Sequence, residues 1–554
     1  MIDADTVFGA LAAAAARWPD KPFLNVLPET AAVYGIGPGE ISYAAMKADV
    51  DRQIAAWRAA GLKPGKRIGV LVENRPAFHR HWFAMNALGA SIVPINPDLR
   101  AAELEYLIGH SEMAAAIVLP ARQADVAAAA KAAGRDIPVV GPDDGLPDLH
   151  NSGDVPAPGG EDGSSEAENR VAVAGRDAEC ALLYTSGTTG KPKGCVLTNT
   201  YFLNNGRWYG TVGGLVRIRP GEERMLTPLP LFHMNAMATS TMAMLMSGGC
   251  LTILDRFHPK SWWDSVRNAR ATIVHYLGVM PPMLMGAAPR PDDADNAVVF
   301  GFGAGVDKRL HGPFETRFGF PLVEAWAMTE TGGGVIIAAT TEPRHLGVAC
   351  IGKPDANTEF RIIREDGSDC DVDEPGELLV RRKGEDPRHG FFKAYLKDPA
   401  ATEDAWAGGY FHTGDVVRRD AEGSIYFVDR RKNVIRRSGE NIAAVEVESV
   451  LQQHPAVAAV AVAAIPDAVR GDEVFACIVP KEKVADPAAL ARDIVTYALS
   501  RLAYYKAPGW VAFVDALPVT ATQKIQRGAM KDVVAGLAAD PATIDTRAMK
   551  KRSA

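Results

Sequence analysis

Between residues 67 and 140, short apolar runs alternate with helical stretches, and this alternation limits the fold more than any other feature of the chain. Residues 67–72 suit a buried strand. Asn74 and Pro76 then supply helix-start chemistry, and Gly89 stands where that helix should end. Residues 90–95 read as a second strand. Leu104, Leu107 and Ile108 fall at i, i+3 and i+4, the spacing of a helix that buries one face. Strands at 115–119 and 137–140 follow around an Ala-rich helix. A chain that alternates in this way lays its helices on the faces of a parallel sheet.

At 554 residues the chain exceeds what one core can organise, so at least two domains are expected. From 141 to 170 the composition shifts to Gly, Pro, Asp, Ser and Glu, which marks a surface loop. The character changes again near 383–398. After about Lys432 a smaller α/β pattern begins, with a helix near 445–453 and strands at 457–465 and 474–479. The tail from Ala538 is polar and reads as loosely held.

Composition narrows the function classes. Apolar residues make up 47% and charged residues 23%, as in an ordinary soluble globular protein. A net charge of −7 offers no basic surface for nucleic acid. The six cysteines are scattered without a CxxC pair, which points to a reducing compartment. The N-terminus is acidic and unlike a signal peptide. No apolar run approaches the ~18 residues that a membrane span requires. The expectation is a cytoplasmic protein with no membrane span. A homodimer is compatible with the sequence, which does not fix the oligomeric state.

The most informative segment is Tyr184-Thr185-Ser186-Gly187-Thr188-Thr189-Gly190-Lys191-Pro192-Lys193-Gly194. Glycines allow tight turns that point backbone N–H groups inward, and hydroxyl and ammonium groups add donors for a polyanion. A Walker A loop needs GxxxxGK[ST] running into a helix. Here two residues separate Gly187 from Gly190, and Pro192 followed by Cys195-Val196-Leu197 suggests strand–loop–strand. A P-loop kinase is therefore disfavoured.

The string closely resembles the signature of the adenylate-forming superfamily, which includes acyl-CoA synthetases, luciferases and peptide-synthetase adenylation domains. The likeness extends along nearly the whole chain. Leu229-Pro230-Leu231-Phe232-His233-Met234-Asn235 is similar to the segment whose histidine borders the acyl site. Amino-acid-activating members usually carry aspartate at the position of His233, so amino-acid substrates are disfavoured. Gly303-Ala304-Gly305 and Glu324-Ala325-Trp326-Ala327-Met328-Thr329-Glu330 resemble the two segments that sandwich adenine. The family commonly has Tyr flanked by glycines where this chain has Ala325-Trp326-Ala327. The resemblance implies that Thr329 contacts the α-phosphate and that Glu330 holds Mg²⁺.

Tyr410-Phe411-His412-Thr413-Gly414-Asp415 matches the ribose segment, with Asp415 as acceptor and Arg430 as a second ribose contact. By the same resemblance Lys432 is the hinge between the domains, and Arg436 lies near the adenylate. Ser438, Gly439 and Glu440 line the coenzyme A channel. Leu517-Pro518-Val519-Thr520-Ala521-Thr522-Gln523-Lys524 resembles the loop carrying a mobile catalytic lysine, Lys524, here preceded by Gln523 rather than the frequent Gly.

The implied fold is α/β. It has a large N-terminal adenylation domain, 1–431, of layered sheets and helices with a β-barrel-like part, and a small mobile α+β C-terminal domain, 432–554. The implied activity is an acid–thiol ligase that uses ATP, Mg²⁺ and coenzyme A. His233, Thr329, Glu330 and Lys524 are the candidate catalytic residues. Thr185, Ser186, Gly187, Thr188, Thr189, Gly190 and Lys193 are placed on the phosphates, and Gly303, Ala304, Gly305, Ala325, Trp326, Ala327 and Met328 around the nucleotide. His233, Met234, Met237, Phe302 and Gly332 are placed on the acyl group. A dense set of methionines, including Met225, Met242, Met244, Met246, Met280, Met283 and Met285, favours an apolar or aromatic acid. The segment from Arg431 to Asn441 also resembles the branch that contains carnitine- and crotonobetaine-CoA ligases as well as medium-chain and aryl acid ligases, and the sequence does not choose among them. Two rivals keep the fold: transfer of the acyl group to a carrier-protein thiol, and a non-catalytic nucleotide-binding homologue.

Overall fold

In the computed structural model, residues 2–150, 175–185, 191–430, 434–518 and 527–552 are described. They cluster into two compact units. One comprises Met1–Pro97, Ile108–Leu183 and Gly194–Asp429, and the other Asp98–Leu107, Tyr184–Lys193 and Arg430–Ala554.

The expected alternation in the first third is present. Strands Arg67–Leu71, Ser91–Pro94, Ala115–Val118 and Val139–Val140 pair in parallel, and Glu179–Thr185 joins them beside Ser91–Pro94. Every residue of Arg67–Leu71 is buried, as befits a strand covered on both faces. Helix Pro76–Ala87 begins with proline in its first turn, and Gly89 takes a positive φ just beyond its end. Asn74 does not cap this helix. Its amide donates to the carbonyls of Leu229 and Leu254 (3.2 and 2.8 Å), and its oxygen accepts from Leu231 N–H at 2.9 Å.

A second sheet of eight strands carries six consecutive parallel neighbours. In order these are Leu322–Trp326, Phe300–Ala304, Ile273–Leu277, Arg224–Thr227, Cys250–Ile253 and Pro22–Val26. Phe23, Trp82, Phe83 and Phe202 are wholly buried in the core of this large unit. A five-stranded sheet from Cys350–Gly352 to Ile425–Arg430, antiparallel in its pairings, supplies the half-barrel.

In the second unit, Val457–Asp467 and Gly471–Pro480 form a long antiparallel pair, with Ala444–Leu451 and Pro487–Leu499 as helices. The tail departs from expectation. Ile544–Asp545 pairs with Trp510–Phe513, and Lys550 is buried against Glu473, whose carboxylate also accepts from Arg437 Nε at 2.8 and 2.9 Å. A buried carboxylate shared by two cations fastens this polar segment, where polarity alone suggested a loose end.

Five cysteines are buried and Cys370 is half-buried. Burial pushes the thiols of Cys250 and Cys477 up to about 12.

Candidate active site

Three segments of the candidate site leave the carboxyl ends of parallel strands in the eight-stranded sheet, where open α/β sheets place their ligands. The first follows Arg224–Thr227. Thr227 Oγ1 accepts from Leu229 N–H at 3.1 Å, and Asn74 grips Leu229 and Leu231 as above, so the turn into His233 is fixed from both sides. His233 is half-buried, with its ring 4.5 Å from that of Phe232.

The second segment, Gly303–Gly305, admits no side chain at its first position. A Cβ on Gly303 would lie 2.2 Å from the carbonyl oxygen of Tyr276. Gly305, at φ +81°, and Val306 donate their N–H groups to the two oxygens of Glu324, at 2.9 and 2.6 Å. This carboxylate closes the turn at the ends of two adjacent strands.

The third segment follows Leu322–Trp326. Ala325 is half-buried on the strand, and half-buried Ala327, Met328 and Thr329 lead to buried Glu330. Thr331 Oγ1 accepts from Met328 N–H at 3.0 Å, and Gly332 N–H returns to Met328 O at 2.9 Å, a tight turn around Thr329 and Glu330. Trp326 donates its indole N–H to Asp415 Oδ2 at 2.8 Å. Asp415 lies on strand Phe411–Arg419, and its N–H donates to Thr413 Oγ1 at 3.0 Å. The structure thus brings Trp326 and Asp415 together through a hydrogen bond available to indole.

Glu330 accepts from Tyr395 Oη at 2.9 Å. Burial and the neighbouring Glu330 push the Tyr395 hydroxyl far up, so it stays a donor. Tyr201 is wholly buried, its hydroxyl has no hydrogen-bond partner, and it feels the charge of Glu330. Among the described residues no group of three or more His, Cys, Asp and Glu side chains is set to hold a metal ion. Glu330, on a turn packed against the Tyr201 ring, fits a magnesium ion that takes most of its ligands from phosphate oxygens and water.

Around the expected acyl site, Phe302 packs against Trp208, Tyr209 and His275 at centroid separations of 5.8, 5.2 and 5.4 Å. His275 Nδ1 lies 2.9 Å from Asn235 Oδ1 and 2.8 Å from Ser240 Oγ. An amide oxygen only accepts, so Nδ1 donates and Nε2 accepts from Tyr209 Oη at 3.1 Å. Burial lowers His275 to about 3, which agrees with a neutral ring. This network braces a π-helical turn, Asn235–Ser240, that follows Met234. Met225, Met237, Met242, Met244 and Met246 are wholly buried in the core, a position that packing alone explains. Met234 is half-buried and Gly332 lies against the Tyr201 ring.

Thr185 ends strand Glu179–Thr185 and Lys193 begins strand Lys193–Thr198, so strands flank the glycine-rich segment on both sides as the sequence suggests. Arg436 is exposed on strand Val434–Arg437. Arg437 pairs with Glu440 across a two-residue turn in which Ser438 and Gly439 have φ of +51° and +91°, both in the left-handed range used by type I′ hairpins. The Ser438 hydroxyl is buried and has no partner. Arg430 ends strand Ile425–Arg430. Ser186, Gly187, Thr188, Thr189, Gly190, Lys432 and Lys524 lie outside the described residues.

Trp208, Tyr209, His275, Tyr201 and Tyr395 were not singled out from the sequence. The adjacent aromatic residues Trp208 and Tyr209 were the available signal for the first two. The others carry none until the fold places them.

A parallel sheet that presents glycine turns, an indole–carboxylate pair and a buried acid at its strand ends defines a nucleotide-dependent enzyme. Comparison with known proteins makes this specific. A model described as AMP-binding enzyme matches residues 11–396, and one described as AMP-binding enzyme C-terminal domain matches residues 446–524. The chain is 31% identical to a sulfoacetate–CoA ligase of Cupriavidus necator, over 94% of this chain and 97% of that protein. It is 32% identical to a feruloyl-CoA synthase of an Amycolatopsis species, over 93% and 98%. Among solved structures, o-succinylbenzoate CoA synthetase of Bacillus subtilis, bound to a product analogue, superposes with a TM-score of 0.78 at 25% identity, over 94% of this chain and 98% of that one.

The chain belongs to the AMP-binding enzyme family, in its acyl-CoA ligase branch. Its reaction is a two-step ligation: ATP and a carboxylic acid give an acyl-adenylate and pyrophosphate, and coenzyme A then takes the acyl group and releases AMP. No helix among the described residues is long and apolar enough to cross a membrane.

Proposed function

We propose that this enzyme activates an aromatic or otherwise apolar carboxylic acid in the cytoplasm, with His233, Met234 and Phe302 beside the acyl group. The observation that carries this reading is the ring cluster of Trp208, Tyr209, Phe302 and His275, in which the Tyr209 hydroxyl and both His275 nitrogens already have partners within the protein. No charged side chain belongs to this cluster, which disfavours a second charge on the acid. The likeness to a feruloyl-CoA synthase supports the same reading.

The chemistry assigns the remaining roles. Carboxylate and triphosphate are both anions, and two unit charges ~4 Å apart repel by about 4 kcal/mol at an effective dielectric near 20. Thr185–Lys193 and Lys524 offset that repulsion, and Thr329 lies on the α-phosphate. Magnesium, held by Glu330, supplies charge neutralisation at the phosphates. Asp415 and Arg430 hold the ribose, and Arg436 lies near the adenylate. The domain 432–554 turns about Lys432 between half-reactions, bringing Ser438, Gly439 and Glu440 to coenzyme A.

Pyrophosphate release across a panel of aryl, aliphatic, sulfonated and quaternary-ammonium acids, with and without coenzyme A, tests the substrate reading. Aryl acids should give the highest kcat/KM; a preference for sulfonated or quaternary-ammonium acids would overturn it. Lys524→Ala should slow adenylation ~100-fold or more, the scale of losing a transition-state electrostatic contact. Thioester formation from isolated acyl-adenylate should stay within a few-fold of the parent enzyme. Equal loss in both half-reactions would refute the assignment of Lys524.

A further inference from the structure

Glu330 is held by more than its own turn. Its backbone oxygen accepts from Phe392 N–H at 2.8 Å, and its Oε1 accepts from the Tyr395 hydroxyl. Tyr395 is itself tied down on every side. Its N–H donates to Thr402 Oγ1 at 3.0 Å, and its ring packs on Phe392 at 4.7 Å. The short strand Ala394–Tyr395 pairs antiparallel with Cys195 and Val196, and Leu396 N–H donates to Gly194 O at 2.8 Å. One phenol therefore joins the carboxylate to the strand that leaves the glycine-rich loop.

A second phenol approaches from helix Asn199–Thr211. The Tyr201 ring fills the space beside Gly332, two residues from Glu330, where a Cβ would come within 1.9 Å of a ring carbon. Its hydroxyl is wholly buried, unpaired and electrostatically coupled to Glu330. The ring thereby backs the turn that carries Glu330.

We propose that Tyr395 is a positioning residue for the magnesium site: it fixes Glu330 through Oε1 and leaves Oε2 for the cation. This rests on the reading of Glu330 as the magnesium-holding carboxylate. Groups that orient a metal ligand typically change metal affinity by about 10–100-fold when removed.

The test uses Mn²⁺ as the probe, with its binding to the full-length protein followed by electron paramagnetic resonance in the presence of α,β-methylene-ATP. Tyr395→Phe, which deletes one oxygen, should weaken Mn²⁺ binding ~10-fold or more. The Mg²⁺ concentration for half-maximal pyrophosphate release should rise in parallel. Affinity for the same nucleotide in EDTA should stay unchanged, which also reports that the variant is folded.

Unchanged Mn²⁺ affinity in Tyr395→Phe, or equal loss of nucleotide affinity in EDTA, would overturn the proposal. Glu330→Gln separates the two layers. If it leaves Mn²⁺ affinity intact, the reading of Glu330 fails. If it abolishes binding while Tyr395→Phe does not disturb it, only the positioning role fails.

Discussion

At the proposed nucleotide end of the site, single side chains carry the interactions. The indole of Trp326 donates to Asp415, and both groups are almost fully buried, so the carboxylate depends on that donor for part of its solvation. Trp326→Phe keeps a ring for stacking and deletes the N–H. Leaving a buried carboxylate one donor short costs about 1–3 kcal/mol. The expected result is a KM for ATP raised about 10-fold, since 1.4 kcal/mol is a factor of ten, with KM for coenzyme A unchanged. An unaltered KM for ATP would show that the pair does not serve the nucleotide. The same scale shows where the sequence stops being legible. Trp326 and Asp415 could each be placed by motif, yet their bond joins residues 89 positions apart. Asn74 read as a helix start because its type and spacing fit one, while its actual bonds cross to Leu229, Leu231 and Leu254.

At the scale of elements, the turn from Met328 to Gly334 is the part least able to change. Gly332 has φ +45°, and any Cβ there would collide with the rigid ring of Tyr201 rather than with a flexible chain end. Gly332→Ala should therefore destabilise the large unit by about 2–4 kcal/mol, the sum expected of overpacking and left-handed strain. A urea denaturation midpoint equal to that of the parent would contradict this. Elements defined by periodicity were legible: the apolar run at 67–72, the stripe Leu104-Leu107-Ile108 and the strands near 457 and 474 all appear as expected. The tail was not, because an ion pair between Lys550 and Glu473 leaves no periodic trace in a polar sequence. Tyr395 escaped notice for a related reason: its partner Glu330 is 65 residues away and on another strand's end.

For the molecule as a whole, buried histidines give stability a pH dependence on the acid side. Burial lowers His79 and His275 to about 3 and His81 to about 4, and it also lowers half-buried His110. His311 runs the other way: against the cost of burial, its bonds to Glu315 and the Leu322 carbonyl raise it. For the lowered rings, the unfolded chain binds a proton below about pH 6.5 while the native state does not. Stability is therefore complete above that value and is lost as pH falls toward 4, at up to about 1.4 kcal/mol per pH unit for each such ring. His311 contributes in the opposite sense and offsets one of them. Urea midpoints measured from pH 7.5 to 5 should fall steadily below 6.5, and a flat profile would refute the account.

The disposition of the cysteines has a practical corollary. Five thiols lie in the interior and the sixth is partly covered, and burial raises Cys180, Cys250, Cys350, Cys370 and Cys477 away from the thiolate range. The most accessible sulfur during turnover is then that of the incoming pantetheine arm, so a chromogenic disulfide reagent added to a running assay reports consumption of substrate, with Cys370 as the one partly covered thiol of the enzyme to control for.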